Sequence, residues 1–493
     1  GGSTAGGSTA GGSTGGGATG GGSTAGGSTG GGATGGGGAA VVRSTRFQST
    51  PIRFSVPSAV YNAISSFATG STINPRNWDT LDLNADGRVD LVLTSNPSTG
   101  AVFTTNNVAH WNVHLGTSTG FSASVTQWVV PTNGLLPQGY NGTTSATGMS
   151  FWVTLDLTGD RRPELVHTMN PSLGGPYTSP MTATSDGWLV RRGAATSFDL
   201  TGLTFQVPRV PNLTGGIDRV ANDTIGRRWT LAELTGDGLV DLVITADPLT
   251  DAVWLTNGPQ WVLCPGGATA QPGFSPFSSC QRISVPDNGV VGGFKSASAS
   301  QPNQRRVWQL LDLNGDGAAD LVQTMDPSAA GNTTFINGST PAWRAWLNQR
   351  GGAGTYFPVN VTFWNVPSST TTSPSSATGF SWWETFDLDG DRLPELVVTA
   401  DPTTGRPFDF GTATPSWRVY SNTGAGFSAR STIWPIPLGP SPDGFRSKDG
   451  ASWAVLDVTG DGRVDLVQFQ DPMTGLAFSD LSGAFWRVYP GVP

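Results

Sequence analysis

The sequence predicts an all-β protein: a six-bladed β-propeller of four-stranded antiparallel blades, its ring closed by an N-terminal strand completing the last blade, preceded by a Gly-rich tail. Three observations predict it. One sentence, "LDLNGDGAADLVQTMDP" from Leu311 to Pro327, recurs in six near-copies about every 75 residues. Each copy sits inside four short β-type segments, and four antiparallel strands are the unit of a propeller blade. The last copy lacks a fourth segment, whereas "FQSTPIRFSVP", Phe47 to Pro57, supplies one ahead of the first copy.

The tail comes first in the chain. Residues 1–40 repeat a five-residue unit, GG(S/A)T(A/G), without charge or large side chains. Such a segment cannot offset the entropy of folding and reads as a linker, with a packed strand in a fibre as the alternative. Residues 41–493 form the second region, the propeller.

Within a repeat, the first segment begins with Trp four residues before the first acid: Trp78, Trp152, Trp229, Trp308, Trp383 and Trp453. The second follows the loop with β-branched residues at alternate positions, as in "DLVQT". The third begins with Trp again: Trp111, Trp188, Trp261, Trp343, Trp417 and Trp486. The fourth ends on a Val/Ile-Pro step, after glycine turns such as "NTGAGFS". A linear solenoid caps its ends and has no use for a displaced strand; a closed ring does.

The loops read D-x-N/T/D-x-D-x-x-x-D/E. Position 1 is Asp82, Asp156, Glu233, Asp312, Asp387 and Asp457. Position 3 is Asn84, Thr158, Thr235, Asn314, Asp389 and Thr459, and position 5 is Asp86, Asp160, Asp237, Asp316, Asp391 and Asp461. Position 7, through its carbonyl, is Arg88, Arg162, Leu239, Ala318, Leu393 and Arg463. Position 9 is Asp90, Glu164, Asp241, Asp320, Glu395 and Asp465. Oxygens so spaced suit a hard cation with six to eight ligands, calcium before magnesium, and up to six ions are expected. Plain Asp/Asn-Gly turns would need no acid at position 9. An EF-hand would carry Glu at position 12, and no copy does. Loops two and five depart most, with Arg for Gly at position 6 and Pro-Glu at the close.

These residues resemble the FG-GAP, or VCBS, repeats of integrin α-chain propellers and of secreted lectin-like propellers. The resemblance spans residues 41–493; the "GFS" turns keep its FG half, and the GAP half is missing. It implies a propeller whose calcium loops join first and second strands and stiffen the blades without doing chemistry.

Charge adds little. The formal net charge is −8, but the loops hold 19 of the 35 acids, so bound cations would reverse the sign. No basic run of the nucleic-acid kind occurs, and no apolar run is long enough to span a bilayer. The composition reads as extracellular or cell-surface, with any export signal already removed. Cys264 and Cys280 sit at equivalent ends of a hairpin; buried thiols or a disulfide fit, and the pairing favours the disulfide. Six sequons, Asn141, Asn212 and Asn332 among them, matter only in a glycosylating host.

Function rests on the loops of the other face. The second-to-third and fourth-to-first connections are long, and long loops on a rigid scaffold build binding surfaces. Among the 18 tryptophans, Trp254 alone falls in a second-to-third connection, as a candidate ligand contact or a loop anchor. The expectation is a calcium-stabilised binding module, adhesin- or lectin-like, for a glycan or protein at a cell surface. The alternative is a structural surface or fibre protein that self-assembles or anchors through its tail. Three histidines without triad or metal-hydrolase spacing speak against an enzyme.

Overall fold

The computed structural model describes residues 46–57, 78–96, 101–131, 152–168, 177–178, 186–207, 229–247, 252–267, 277, 280–287, 294, 308–324, 326, 334–351, 355–367, 383–401, 403–409, 414–437, 453–471, 474 and 476–492. The tail, the fourth-to-first connections, Asn141, Asn212 and Asn332 lie outside them.

Every named element is a β-strand, and the sheets are propeller blades. The first blade shows the plan. Trp78–Leu81 pairs antiparallel with Asp90–Leu93, which pairs with the C-terminal half of Val108–His114. The short strand Phe103–Thr105 continues the edge that Asp90–Leu93 leaves, pairing with the N-terminal half of the same long strand. Thr126–Val129 closes the outside. Strands are short because Trp and β-branched residues run only a few positions before Gly, Asn or Asp permits a turn.

The expected count of six blades is corrected: the propeller has five blades, not six. Five sheets are self-contained, each folded from one contiguous stretch starting at Trp78, Trp152, Trp229, Trp308 or Trp383. The sixth repeat does not make another of these. Its strands Trp453–Leu456, Asp465–Gln468 and Gly483–Tyr489 enter a seven-stranded composite sheet, with Phe478–Asp480 paired to the last. That sheet also takes Ile52–Ser55 from the N-terminal region and the Gly116–Thr117/Gly120–Phe121 hairpin of the first blade. Near-identical repeat sentences do not distinguish the two cases, because sheet membership is decided by partners far away in sequence. The N-terminal segment pairs where its pattern required: Phe54 lies opposite Trp486, and Arg46–Phe47 pairs with Gly491–Val492.

The core is divided among the interfaces between neighbouring sheets, and one aromatic device recurs at each. The third-strand Trp meets the first-strand Trp of the next sheet: Trp111–Trp152 at 6.4 Å between centroids, Trp188–Trp229 at 5.6 Å, Trp261–Trp308 at 5.5 Å, Trp343–Trp383 at 5.2 Å, Trp417–Trp453 at 5.5 Å and Trp486–Trp78 at 5.8 Å. A Phe from that next sheet's third-to-fourth turn meets the same third-strand Trp edge-on, as Phe198, Phe277, Phe357, Phe427 and Phe121 do. At the composite sheet the corresponding Phe is Phe47, 5.8 Å from Trp417. Edge-to-face geometry adds about 0.5–1.5 kcal/mol per pair beyond area burial. Cys264 and Cys280 are joined by a disulfide across the third blade's outer turn.

Candidate metal loops and the opposite face

All six acid loops join a first to a second strand and are built alike. The position 9 carboxylate accepts the position 2 N–H in every loop, as Asp90 Oδ2 does from Leu83 at 3.1 Å and Glu164 Oε2 from Leu157 at 2.7 Å. The position 5 carboxylate accepts the position 7 N–H, as Asp316 does from Ala318 at 2.9 Å. The position 1 carboxylate gathers the turn's N–H groups, as Asp312 does from Gly315 and Gly317, both at 2.8 Å.

Sequence reading missed two features. Position 4 has positive φ throughout: Gly159, Gly236, Gly315, Gly390 and Gly460 near +72 to +77°, and Ala85 at +61°. The glycine also makes room for the adjacent loop. A Cβ on Gly460 would meet Arg88 Cγ at 2.8 Å, and one on Gly315 would meet Leu393 Cδ2 at 3.0 Å, so at these loops position 7 of the next loop covers position 4, while over Gly236 it is Arg350 that does so. Position 6 has positive φ as well, even where it is Arg161 (+71°) or Arg392 (+73°).

The acids fit a cation. Burial, with repulsion from neighbouring loop acids, pushes the Glu164 and Glu395 carboxyls up to about 8 and those of Asp90, Asp320 and Asp465 up to about 7. Buried like charges of this kind are relieved by a bound cation. Among the described residues, carboxylate oxygens of Asp156, Asp160 and Glu164, and of Asp387, Asp389 and Glu395, lie within 4.8 Å of one another. These are the two Pro-Glu loops, the ones whose sequence departs most. Their longer side chain explains it. In the Asp loops the second oxygen is held by a residue just past the third strand: Gly116 N–H to Asp90 Oδ1 at 2.8 Å, Gly266 to Asp241 at 2.7 Å, Asn348 to Asp320 at 2.7 Å and Gly491 to Asp465 at 3.2 Å. Arg350 also reaches Asp316, at 3.4 Å.

The turn contacts place the loops and the third-to-fourth turns at one end of each blade. At the other end stand hairpins leading into the third strands, turning at Asn106-Asn107, Asn257-Gly258, Gly338 and Gly483. Exposed apolar residues ride on them: Leu255 at 76%, Ile336 at 60%, and Val108 and Leu481. Trp254 is not singular here. It pairs with Gln260 at the place that Phe103, Phe335, Phe408 and Phe478 occupy in other sheets, is half-buried, and has the Arg282 guanidinium 5.3 Å over its ring. The findable signal was an aromatic thirteen residues past the last loop acid, fifteen in the fourth repeat.

No family model matches the chain, and no curated protein matches it. The likeness to FG-GAP/VCBS repeats therefore stands on the loop spacing. Solved structures resemble it distantly. One, described as the structural basis of specific recognition of non-reducing terminal N-acetylglucosamine by an Agrocybe aegerita lectin, is 15% identical, with a TM-score of 0.41 over 83% of this chain and 78% of that one. Another, TcdB2-TccC3, is 15% identical, with a TM-score of 0.34 over 92% of this chain and 16% of that one. The propeller architecture rests on this chain's own strand pairing.

Proposed function

We propose that the protein is an extracellular binding module of the FG-GAP/VCBS kind, braced by calcium, that recognises a glycan or a protein through the face opposite its acid loops. The observation that carries this reading is the division of labour between the two ends of the blades. Paired and buried carboxylates occupy one end, while the other presents exposed Leu255 and Ile336 on hairpins held by aromatic–arginine stacking. Apolar residues on rigid hairpins, set beside charged groups, form the usual core of a recognition surface. Calcium in the loops supplies charge neutralisation and stiffness, held by carboxylates such as those of Asp156, Asp160 and Glu164. The ions take no part in chemistry.

A glycan array probed with and without chelator tests the proposal. Specific signals are expected with calcium, together with a melting temperature that chelator lowers and that calcium restores better than magnesium. A site filled at a hundredfold excess over its Kd adds about 2.7 kcal/mol. An array without signals and a melt insensitive to chelator would together sink it.

A further inference from the structure

One place in the ring is filled in two ways. Five residues past the third-strand Trp stand Gly116, Gly193, Gly266 and Gly491, but Asn348 in the fourth blade and Asn422 in the fifth. The glycines lie hard against the acid loop of their own blade. A Cβ on Gly116, Gly193 or Gly266 would come within 2.3–2.7 Å of the position 8 carbonyl. The two asparagines are buried, and they turn that approach into bonds. Asn348 Nδ2 donates to the position 8 carbonyl of its own loop, Ala319, at 3.0 Å, and to the Leu234 carbonyl of loop three at 2.8 Å. Asn422 Nδ2 likewise donates to Pro394 of its own loop at 3.2 Å, and to the Leu313 carbonyl of loop four at 2.8 Å. Each Oδ1 accepts an N–H of its own turn, from Arg350 at 2.7 Å or from Gly424 at 3.0 Å. Only this orientation of the amide satisfies both its donor and its acceptor.

The carbonyls reached in the neighbouring loops are both at position 2, whose N–H is held by that loop's position 9 acid. Leu234 N–H lies 2.7 Å from Asp241 Oδ2, and Leu313 N–H lies 3.0 Å from Asp320 Oδ2. Asp320 also accepts the Asn348 N–H, at 2.7 Å. Asp241, Leu234, Asn348, Asp320, Leu313 and Asn422 thus stand in one unbroken line of hydrogen-bonded residues that crosses from loop three to loop five. It ends at Pro394, next to the position 9 acid Glu395. Where the place is glycine, no side chain carries such a line onward. Buried hydrogen bonds to carboxylates are strong, and bonds in a chain polarise one another.

We propose that Asn348 and Asn422 couple loops three, four and five into one ion-responsive unit, in which filling one loop raises the affinity of the next. The inference rests on the reading of the acid loops as calcium sites and adds coupling among them. A loop whose position 9 carboxylate is fixed also fixes the asparagine bonded to it, and through that side chain the position 2 peptide of its neighbour. The neighbour then has less to order when it binds, which is positive cooperativity. Loops three and four share a second bond, Ala319 N–H to the Glu233 carbonyl at 2.8 Å. Position 8 of loop five is Pro394, which has no N–H to offer, so the hydrogen-bonded link from four to five rests on Asn422.

The experiment follows amide hydrogen exchange by mass spectrometry, loop by loop, while calcium is titrated into the chelated whole protein. Loop four is weakened by Asp316→Asn, in wild type and in the Asn348→Gly and Asn422→Gly backgrounds. Glycine is what the other sheets carry at this place, and it keeps the backbone N–H. Asn422→Ala, which keeps the Cβ, reports if glycine loosens the fold. In wild type, Asp316→Asn is expected to raise the calcium needed to protect loops three and five by about fivefold or more, the usual scale of coupling between sites. Loop one should stay where it was. Asn422→Gly is expected to remove the effect on loop five and keep that on loop three. Asn348→Gly should reduce the effect on loop three and keep that on loop five. Such a cycle isolates the pairwise link. An effect on loop five of equal size with and without Asn422, no effect in wild type, or an equal shift at loop one would each overturn the coupling and leave the ion sites standing. Exchange indifferent to calcium in every loop would remove both.

Discussion

Phe47 and Phe54 reach the composite sheet from the far end of the chain, and their loss should open the ring. Both are buried, and they serve different interfaces. Phe47 packs edge-on against Trp417 and Trp434, each 5.8 Å away, in the core shared with the fifth blade. Phe54 sits opposite Trp486 and 5.1 Å from Phe121, in the core shared with the first blade. Truncating a buried Phe to Ala costs about 3–5 kcal/mol. Because the two residues share no partner, their costs should add, giving about 6–10 kcal/mol for Phe47→Ala/Phe54→Ala. That sum rivals the whole stability of an ordinary domain, roughly 5–15 kcal/mol. Urea titration followed by tryptophan fluorescence is the assay, since each interface contains a Trp pair. The single variants should shift the midpoint clearly, and the double variant should be largely unfolded without urea. Deleting residues 1–40 should leave the midpoint where it is. If the double variant titrates with wild type, the N-terminal strands do not hold the ring and the closure argument fails.

Three further outcomes are expected. Arg161→Gly and Arg392→Gly should each raise the melting temperature, because a non-glycine residue in the left-handed region costs about 1–2 kcal/mol; calorimetry that shows a fall would mean their side chains matter more than their backbone. Replacing Cys264 and Cys280 by Ser opens a link of 16 residues, and about 3 kcal/mol should be lost, read by urea titration against the disulfide-intact wild type; a variant as stable as that protein would deny the link a stabilising role. Asp465→Ala should destabilise chelated protein more than Asp86→Ala, because Asp465 takes the N–H groups of Val458, Thr459 and Gly491; equal melts would deny it a latching role.

Much of the architecture was legible because its signals are local and repeated. The two Trp series marked first and third strands, and the structure shows why both must be Trp: each interface joins one of each. The displaced fourth segment was legible from its Val-Pro ending. The blade count was not, since membership of the seven-stranded sheet depends on pairings such as Ser55 with Gly120, remote in sequence. Nor was the position 4 glycine, whose necessity comes from a neighbouring loop. Trp254 misled in another way. Counting tryptophans alone hid the fact that Phe fills the same place elsewhere, which places Trp254 within the repeat pattern.

The loop acids and the aromatic interfaces are one mechanical system. Asp90 holds the Gly116 N–H, and Gly116 pairs with Phe121, the ring that meets Trp486 across the interface. Asp465 holds Gly491, Gly491 pairs with Phe47, and Phe47 meets Trp417. A cation drawn to such a loop would fix its carboxylate, hence the turn, hence the Phe that locks the neighbouring sheet. In the two Glu loops a carboxylate oxygen of the position 9 group lies within 4.8 Å of oxygens of two other loop acids. The Asp loops therefore tie their charge to the interface, while the Glu loops bring theirs together. This explains in physical terms why an acid is kept at position 9 even where a bare turn would need none: it connects the charge of the loop to the packing of the ring.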